Sequence, residues 1–151
     1  MTGVAALRPN PWLVAAGALS AVAAILHICI IFGGPEWYRF FGAGGDMVRA
    51  ARAGSSTPAI YASVIAIILF SWSAYAFSGA GLLPQLPLIR TALVLISLIY
   101  LARALVLVPI VLFRPWLASP FVWWSSLIVL VYGLSYAIGT WRAWPGLRPS
   151  R

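Results

Sequence analysis

The sequence predicts an all-α polytopic membrane protein, a four-transmembrane-helix bundle with a short interfacial helical loop between helices 1 and 2. Of its 151 residues, 63% are hydrophobic and 8% are charged, and the apolar residues form longer runs than a soluble core of this size needs. At ~1.5 Å per helical residue, about 20 residues cross the ~30 Å of hydrocarbon in a bilayer. A single membrane domain is expected over residues 1–151, with spans at 11–32, 58–77, 91–113 and 121–141 and the loop at 33–57.

Prolines lie at the ends of most predicted spans. Pro11 opens the first span and Pro58 opens the second, at positions where a backbone N–H would lack a helical partner in any case. Pro109 is different because it lies inside the third span, where it removes one helical hydrogen bond. The sequence therefore predicts a kink in the third span.

The loop between the first two spans contains both acidic residues of the chain, Glu36 and Asp46. Two short helices are predicted here, hinged at the GAGG turn. Pro35 suits the start of the first helix, PEWYRFF, and Asp46 suits the N-cap of the second, MVRAARA. The spacing also predicts local pairs of Glu36 with Arg39 and of Asp46 with Arg49, each three residues apart.

Polar residues in the loop-side half of the bundle are the candidate site. His27 shares a helical face with the small residues Ala16, Ser20, Ala23 and Ala24, so we expect it to point into the bundle, roughly 9 Å below the loop-side end of its helix. A polar pocket covered by the helical loop is predicted, and the alternative is a buried hydrogen-bond network that holds the four helices together. The predicted ligand-binding residues are His27, Glu36, Tyr61, Ser63, Tyr100, Arg103 and Ser125.

Arg103 is the most costly residue in the predicted spans. It lies roughly 15 Å from the loop-side end of its span, where an arginine costs on the order of 2.5 kcal/mol or more. No span contains a carboxylate, so its partner is a loop acid folded inward, a carbonyl freed at Pro109, a hydroxyl, a bound anion, or water reached by snorkelling. We expect Glu36 to turn inward toward His27, with Arg103 joined through water, a hydroxyl or a ligand headgroup.

The charge distribution and the rare residue types exclude several classes of function. All ten basic residues are arginines, and nine of them are spread over both ends and every loop, which favours contact with lipid headgroups and predicts no nucleic-acid partner. One cysteine and one histidine predict no metal site and no cofactor. No catalytic residue is predicted, and an intramembrane enzyme with His27 as general base is the least favoured hypothesis.

Four spans place both chain termini on the same side of the membrane. Five arginines belong to that side and four to the other, which favours cytoplasmic termini by the positive-inside rule. The two sets are Arg8, Arg90, Arg142, Arg148 and Arg151, against Arg39, Arg49, Arg52 and Arg114.

The run GGPEWYRFFGAGGDMVRAARAG, followed by an apolar span that ends in AYAFSGAGLLPQLPLIR, resembles a group of small bacterial four-helix membrane proteins. The resemblance covers most of the chain and implies a bacterial inner membrane, but it carries no activity with it. The four-helix size is also similar to that of small multidrug exporters. Those exporters carry a carboxylate in the first span, and its absence here argues against proton-coupled export.

Two functional hypotheses remain alongside the enzyme. The first is a binding or carrier module for an amphipathic ligand, a lipid or a quinone-like molecule, taken from the loop-side leaflet. The second is an accessory or structural subunit of a larger membrane complex, or a homo-oligomer. Membrane lipids are the expected partners in either case.

Overall fold

The computed structural model describes residues 9–147, so Arg8, Arg148 and Arg151 of the arginine count lie outside the described part. Four helical segments are long and apolar enough to cross a membrane: α1, α3, α4 with α5, and α6. The chain is thus a multi-pass membrane protein with an all-α bundle, as predicted. The helices are α1 (Pro11–Phe40), α2 (Gly45–Arg52), α3 (Thr57–Gly79), α4 (Ile89–Leu105), α5 (Leu107–Phe113) and α6 (Pro120–Ala143), with a 3-10 turn at Pro115–Leu117.

The first helix continues into the predicted loop but bends at Gly34. The backbone of Gly34 has φ 70° and ψ −160°, a conformation that a residue without Cβ adopts readily. Pro35 follows and has no N–H to donate across the bend. Residues 35–40 therefore form a separate helical turn beyond the spanning part of α1, which confirms that this part of the loop is helical.

The third span is broken where the sequence predicts a kink. α4 ends at Leu105 and α5 begins at Leu107. Pro109 cannot donate a hydrogen bond to the carbonyl of Leu105, four residues earlier. The Ile110 N–H still donates to the Val106 carbonyl at 3.3 Å, so the interruption is confined to one turn.

Asn10 fixes the end of the bundle at which α1 begins. Its side-chain oxygen accepts hydrogen bonds from the N–H groups of Trp12 and Leu13, at 3.1 and 3.4 Å, as an N-cap does. Its side-chain amide donates to the Gly139 carbonyl at 2.9 Å, and its backbone N–H donates to the Ala80 carbonyl at 3.2 Å. One residue therefore starts α1 and ties it to the ends of α3 and α6.

Buried apolar residues form two clusters. The main core joins α1, α3, α4 and α6, and the predicted small-residue face of α1 packs into it with Ala16, Ser20 and Ala24 fully buried. A smaller cluster, the loop core, lies at the opposite end from Asn10, where α2 packs against α1 and α3. The buried members of the loop core are Ile30, Tyr38, Val48 and Ala62.

Candidate functional site

A cavity of about 290 Å³ lies beside the loop core, between α1, α2 and α3. Its polar lining side chains are His27, Tyr38 and Tyr61, and none of the lining residues is an arginine or a carboxylate. The lining is otherwise apolar, so the cavity suits a largely hydrophobic ligand with a small polar part. The remaining lining residues are Ile30, Phe41, Gly42, Ala43, Met47, Pro58, Ala62 and Ile65.

His27 presents one ring nitrogen to its own helix. Its Nδ1 lies 2.8 Å from the carbonyl oxygen of Ala23, one turn earlier in α1. A carbonyl can only accept, so Nδ1 must carry the hydrogen of this bond. In the neutral imidazole Nε2 is then an acceptor, and within residues 9–147 it has no hydrogen-bond partner. The imidazole thus contributes an unused acceptor to the cavity lining.

Tyr38 also lines the cavity, and its hydroxyl is buried. The residue is 8% exposed, and its hydroxyl has no hydrogen-bond partner in the described part of the chain. Leaving such a group unsatisfied costs about 1–3 kcal/mol. Burial also raises the pKa of Tyr38.

The short helix α2 covers one side of the cavity through Met47. Val48, which is 8% exposed, packs into the loop core, whereas Arg49 and Arg52 are exposed on the other face. α2 begins at Gly45 with Gly44 as its N-cap. The expectation that Asp46 is the N-cap is therefore wrong.

Asp46 lies instead in the first turn of α2, where a negative charge is favourable beside the helix N-terminus. Its carboxylate pairs with Arg49, as the three-residue spacing predicts. This pair is exposed and lies within a single helix.

Glu36 faces the loop arginines and not the bundle. Its carboxylate accepts from Arg39 at 2.5 Å and from Arg52 of α2 at 2.8 Å. The Arg39 pair confirms the predicted spacing, but the expectation that Glu36 turns inward to His27 is wrong. The bend at Gly34 places the turn of residues 35–40 beside α2, where two guanidinium groups satisfy the carboxylate outside the span. The hydrogen bond from Arg52 holds the pKa of Glu36 below its ordinary value of about 4.5.

Two of the predicted site residues, His27 and Tyr61, lie together on the cavity. Ser63 is exposed on α3, and Ser125 donates to the Val122 carbonyl within α6 at 3.2 Å. Neither lines the cavity, so their predicted place beside His27 is wrong. The rotation of each helix about its axis decides this, because α3 turns Ala62 inward and leaves Ser63 outside.

Arg103 also lies away from the cavity. It is exposed on α4, whose buried residues include Ser97, Tyr100 and Ala104. At 100° per residue, Arg103 is about 100° around the helix from Ala104. Its predicted place in the His27 pocket is wrong because α4 buries the neighbouring face.

Tyr100 belongs to a buried hydrogen-bond chain in the main core. The Tyr136 hydroxyl donates to the Trp72 carbonyl at 3.0 Å, which uses its only hydrogen. Ser20 must therefore donate to Tyr136 at 2.9 Å, and Tyr100 must donate to Ser20 at 3.1 Å. The chain runs from α4 through α1 and α6 to α3 and joins all four spans.

No family model, curated protein or solved structure matches the chain. Among residues 9–147, no group of three His, Cys, Asp or Glu side chains is placed to hold a metal ion. The function is therefore inferred from the geometry of the cavity.

Tyr38 is the cavity residue that sequence reasoning missed. It lies in the loop sequence PEWYRFF, among other aromatic residues that draw attention to a lipid-facing surface. The available signal was its position three residues before Phe41, which places the two rings on neighbouring parts of one helical face. Both side chains line the cavity.

Proposed function

We propose that the protein is a membrane binding or carrier module that holds the polar end of an amphipathic ligand in the cavity beside α2. The observation that carries this proposal is that Tyr38 lines the cavity and that its buried hydroxyl has no hydrogen-bond partner among residues 9–147. A ligand acceptor placed against it offsets the cost of leaving that donor unsatisfied. His27 Nε2 supplies an acceptor for a ligand hydroxyl in the same space.

The composition of the wall favours a ligand whose polar end is uncharged. Among residues 9–147, no arginine or carboxylate lines the cavity, and an ionised group placed there would be desolvated without a counter-charge. A volume of about 290 Å³ fits a single ring or a small headgroup better than a whole lipid. A quinone-like ring or the glycerol end of a neutral lipid meets these conditions, with its tail extending into the bilayer.

Native mass spectrometry from gentle detergent and thermal unfolding test this proposal together. A benzoquinone with a decyl tail and a diacylglycerol serve as uncharged probes, and phosphatidylglycerol serves as the charged comparison. We expect the uncharged probes to raise the Tm of the wild type and to remain bound in the gas phase. Tyr38→Phe and His27→Gln should each weaken this binding about fivefold to tenfold, because each removes one hydrogen bond of about 1 kcal/mol.

Tyr75→Phe is the matched control, because Tyr75 lies on α3 at the far end from the cavity and donates to the Pro87 carbonyl. It should leave the ligand-induced shift unchanged. Equal binding of all three probes by the wild type and by Tyr38→Phe would refute the proposal.

We also infer that the protein resides in a bacterial cell membrane with cytoplasmic termini. The resemblance of the loop sequence supports the membrane, and the five-to-four distribution of arginines supports the orientation. Reporter fusions after Arg151 and within the GAGG turn test the orientation. A reporter at Arg151 that is active outside the cytoplasm would reverse it.

A further inference from the structure

Arg103 is exposed on the outer surface of α4, within an apolar face that residues 9–147 leave largely uncovered. Leu95 and Ile99 lie on this face and are about half exposed, at 52% and 50%. Ala102 and Val106 lie beside Arg103 and are also exposed. We call these five residues the Arg103 face.

The other arginines of the spans contrast with Arg103. The guanidinium groups of Arg90, Arg114 and Arg142 each lie within 6 Å of a tryptophan ring centroid, at 4.9, 5.8 and 5.9 Å, near the ends of their helices. Within residues 9–147, Arg103 makes no hydrogen bond, ion pair or aromatic contact. It is therefore a cation without a protein partner in the described structure.

The depth of Arg103 makes this exposure costly. The third span runs from Ile89 to Phe113, so Arg103 lies ten residues, or roughly 15 Å, from the nearer end. A charged side chain this far into the hydrocarbon is costly to insert. Snorkelling brings the guanidinium only part of the way to the headgroups.

We propose that the Arg103 face docks a transmembrane helix of a different protein, and that this helix carries an aspartate or glutamate near the middle of the bilayer. A carboxylate on that helix would accept two hydrogen bonds from the guanidinium and neutralise it. Ala102 has only a methyl group beside Arg103, which allows a second helix to approach closely.

A second copy of this chain does not supply the required group. Its acids are Glu36 and Asp46, both in the loop and both already paired with arginines. Two Arg103 faces packed against each other would bring like charges together in a medium of low dielectric constant. Charge complementarity therefore favours a heterologous partner, as in the accessory-subunit hypothesis, and is independent of the cavity.

The test uses the full-length protein in lipid nanodiscs and a defined partner, a leucine–alanine helix of about 22 residues with one central glutamate. A second peptide carries glutamine at the same position. Fluorescence energy transfer measures the association of each peptide with the protein. We expect the glutamate peptide to bind the wild type about tenfold more tightly than the glutamine peptide, as for an intramembrane polar pair of about 1–2 kcal/mol.

Two variants assign this preference to the Arg103 face. Arg103→Leu removes the charge, and it should fold because it replaces a costly residue with an apolar one. Ala102→Phe keeps the charge but blocks close approach. Both should bring the two peptides to equal affinity, whereas Arg114→Gln, at the end of the same span, should leave the tenfold preference intact.

Equal binding of the two peptides by the wild type would overturn the proposal and indicate that lipid phosphates satisfy Arg103 by snorkelling. A glutamate preference that persists in Arg103→Leu would overturn it as well, because the carboxylate would then be recognised elsewhere. Self-association of the wild type through this face, not displaced by the glutamate peptide, would identify a second copy as the occupant and would also overturn it.

Discussion

Buried tyrosines occur in two regions of this bundle, and their hydroxyls differ in their hydrogen bonding. In the main core, the hydroxyls of Tyr100 and Tyr136 are both bonded to Ser20. Beside α2, the buried hydroxyl of Tyr38 has no partner among the described residues. Both regions are apolar, so the difference lies in whether these buried tyrosine hydroxyls have a hydrogen-bond partner.

This difference distinguishes polar groups that bond to each other and hold the helices together from polar groups that remain available to a ligand. The main-core chain ends on the Trp72 carbonyl, and the directions of its hydrogen bonds leave none of its hydroxyl hydrogens free. Such a chain holds helices in register. Two residues that line the cavity, Tyr38 and His27, keep an unused donor and an unused acceptor, as is expected where a ligand completes the hydrogen bonding.

The largest expected effect comes from adding volume to each region. Ala76 is fully buried in the main core, and Ala62, on the same helix, is 5% exposed and lines the cavity. Ala76→Leu should destabilise the protein by about 1–3 kcal/mol, because a well-packed core has no room for the added carbons. Ala62→Leu should change stability little and should abolish binding of the uncharged probes.

Thermal unfolding in detergent, with and without probe, measures both substitutions. If Ala62→Leu destabilises the protein as strongly as Ala76→Leu, the region beside α2 is as tightly packed as the main core and the comparison fails.

Removing one hydroxyl from each region is the next test. Tyr136→Phe should cost about 1–2 kcal/mol, because it breaks the bonds to Ser20 and to the Trp72 carbonyl. Tyr38→Phe removes a hydroxyl that has no partner, so it should be neutral or slightly stabilising without ligand. Unfolding free energies in mixed detergent micelles give both values. A loss of 1 kcal/mol or more in Tyr38→Phe would show that its hydroxyl is satisfied within the protein.

The bundle itself was predictable from the sequence because membrane spanning depends on length and hydropathy, which a sequence contains directly. The interruption of the third span just before Pro109 was predictable for a similar reason, since a missing N–H has a local effect. The rotation of each helix about its axis was not predictable, because apolar residues surround every helix and no amphipathic stripe marks the buried side. Arg103 and Ser63 were misplaced for this reason.

Small and polar residues contained some of the missing information. Ser97, Tyr100 and Ala104 recur at spacings of three and four in α4, and this is the face that the bundle buries. Giving that pattern more weight than the charge of Arg103 predicts that Arg103 lies outside the bundle. The contact of Glu36 with Arg52 could not be predicted, because it depends on the positive φ of Gly34. Glycine also adopts negative φ, so its presence in the sequence does not reveal this conformation.

The packing of α2 beside the cavity provides a test with a smaller expected effect. Val48 is the buried residue of α2, so Val48→Ala should weaken its docking by about 1 kcal/mol, which corresponds to roughly fivefold faster amide exchange in residues 45–52. Hydrogen exchange in nanodiscs measures this, with the exchange of residues 96–104 in α4 as the internal reference. Unchanged exchange in α2 would mean that α2 is held by its other contacts.

The smallest expected effect concerns the exposed ion pair between Glu36 and Arg52, which joins the end of α1 to α2. The pKa of Glu36 is lowered in the folded protein, so the pair contributes fully above the unfolded value of about 4.5 and its contribution is lost as the pH falls through the lower folded value. We therefore expect α2 to become more mobile on acidification, and less steeply so at high salt because exposed charges are screened.

A spin label at Ala53→Cys, in a Cys29→Ser background, reports this mobility. Glu36→Gln should remove the pH dependence, whereas Asp46→Asn, which alters a pair within α2 alone, should preserve it. If mobility rises equally with falling pH in Glu36→Gln, a different group controls the docking of α2.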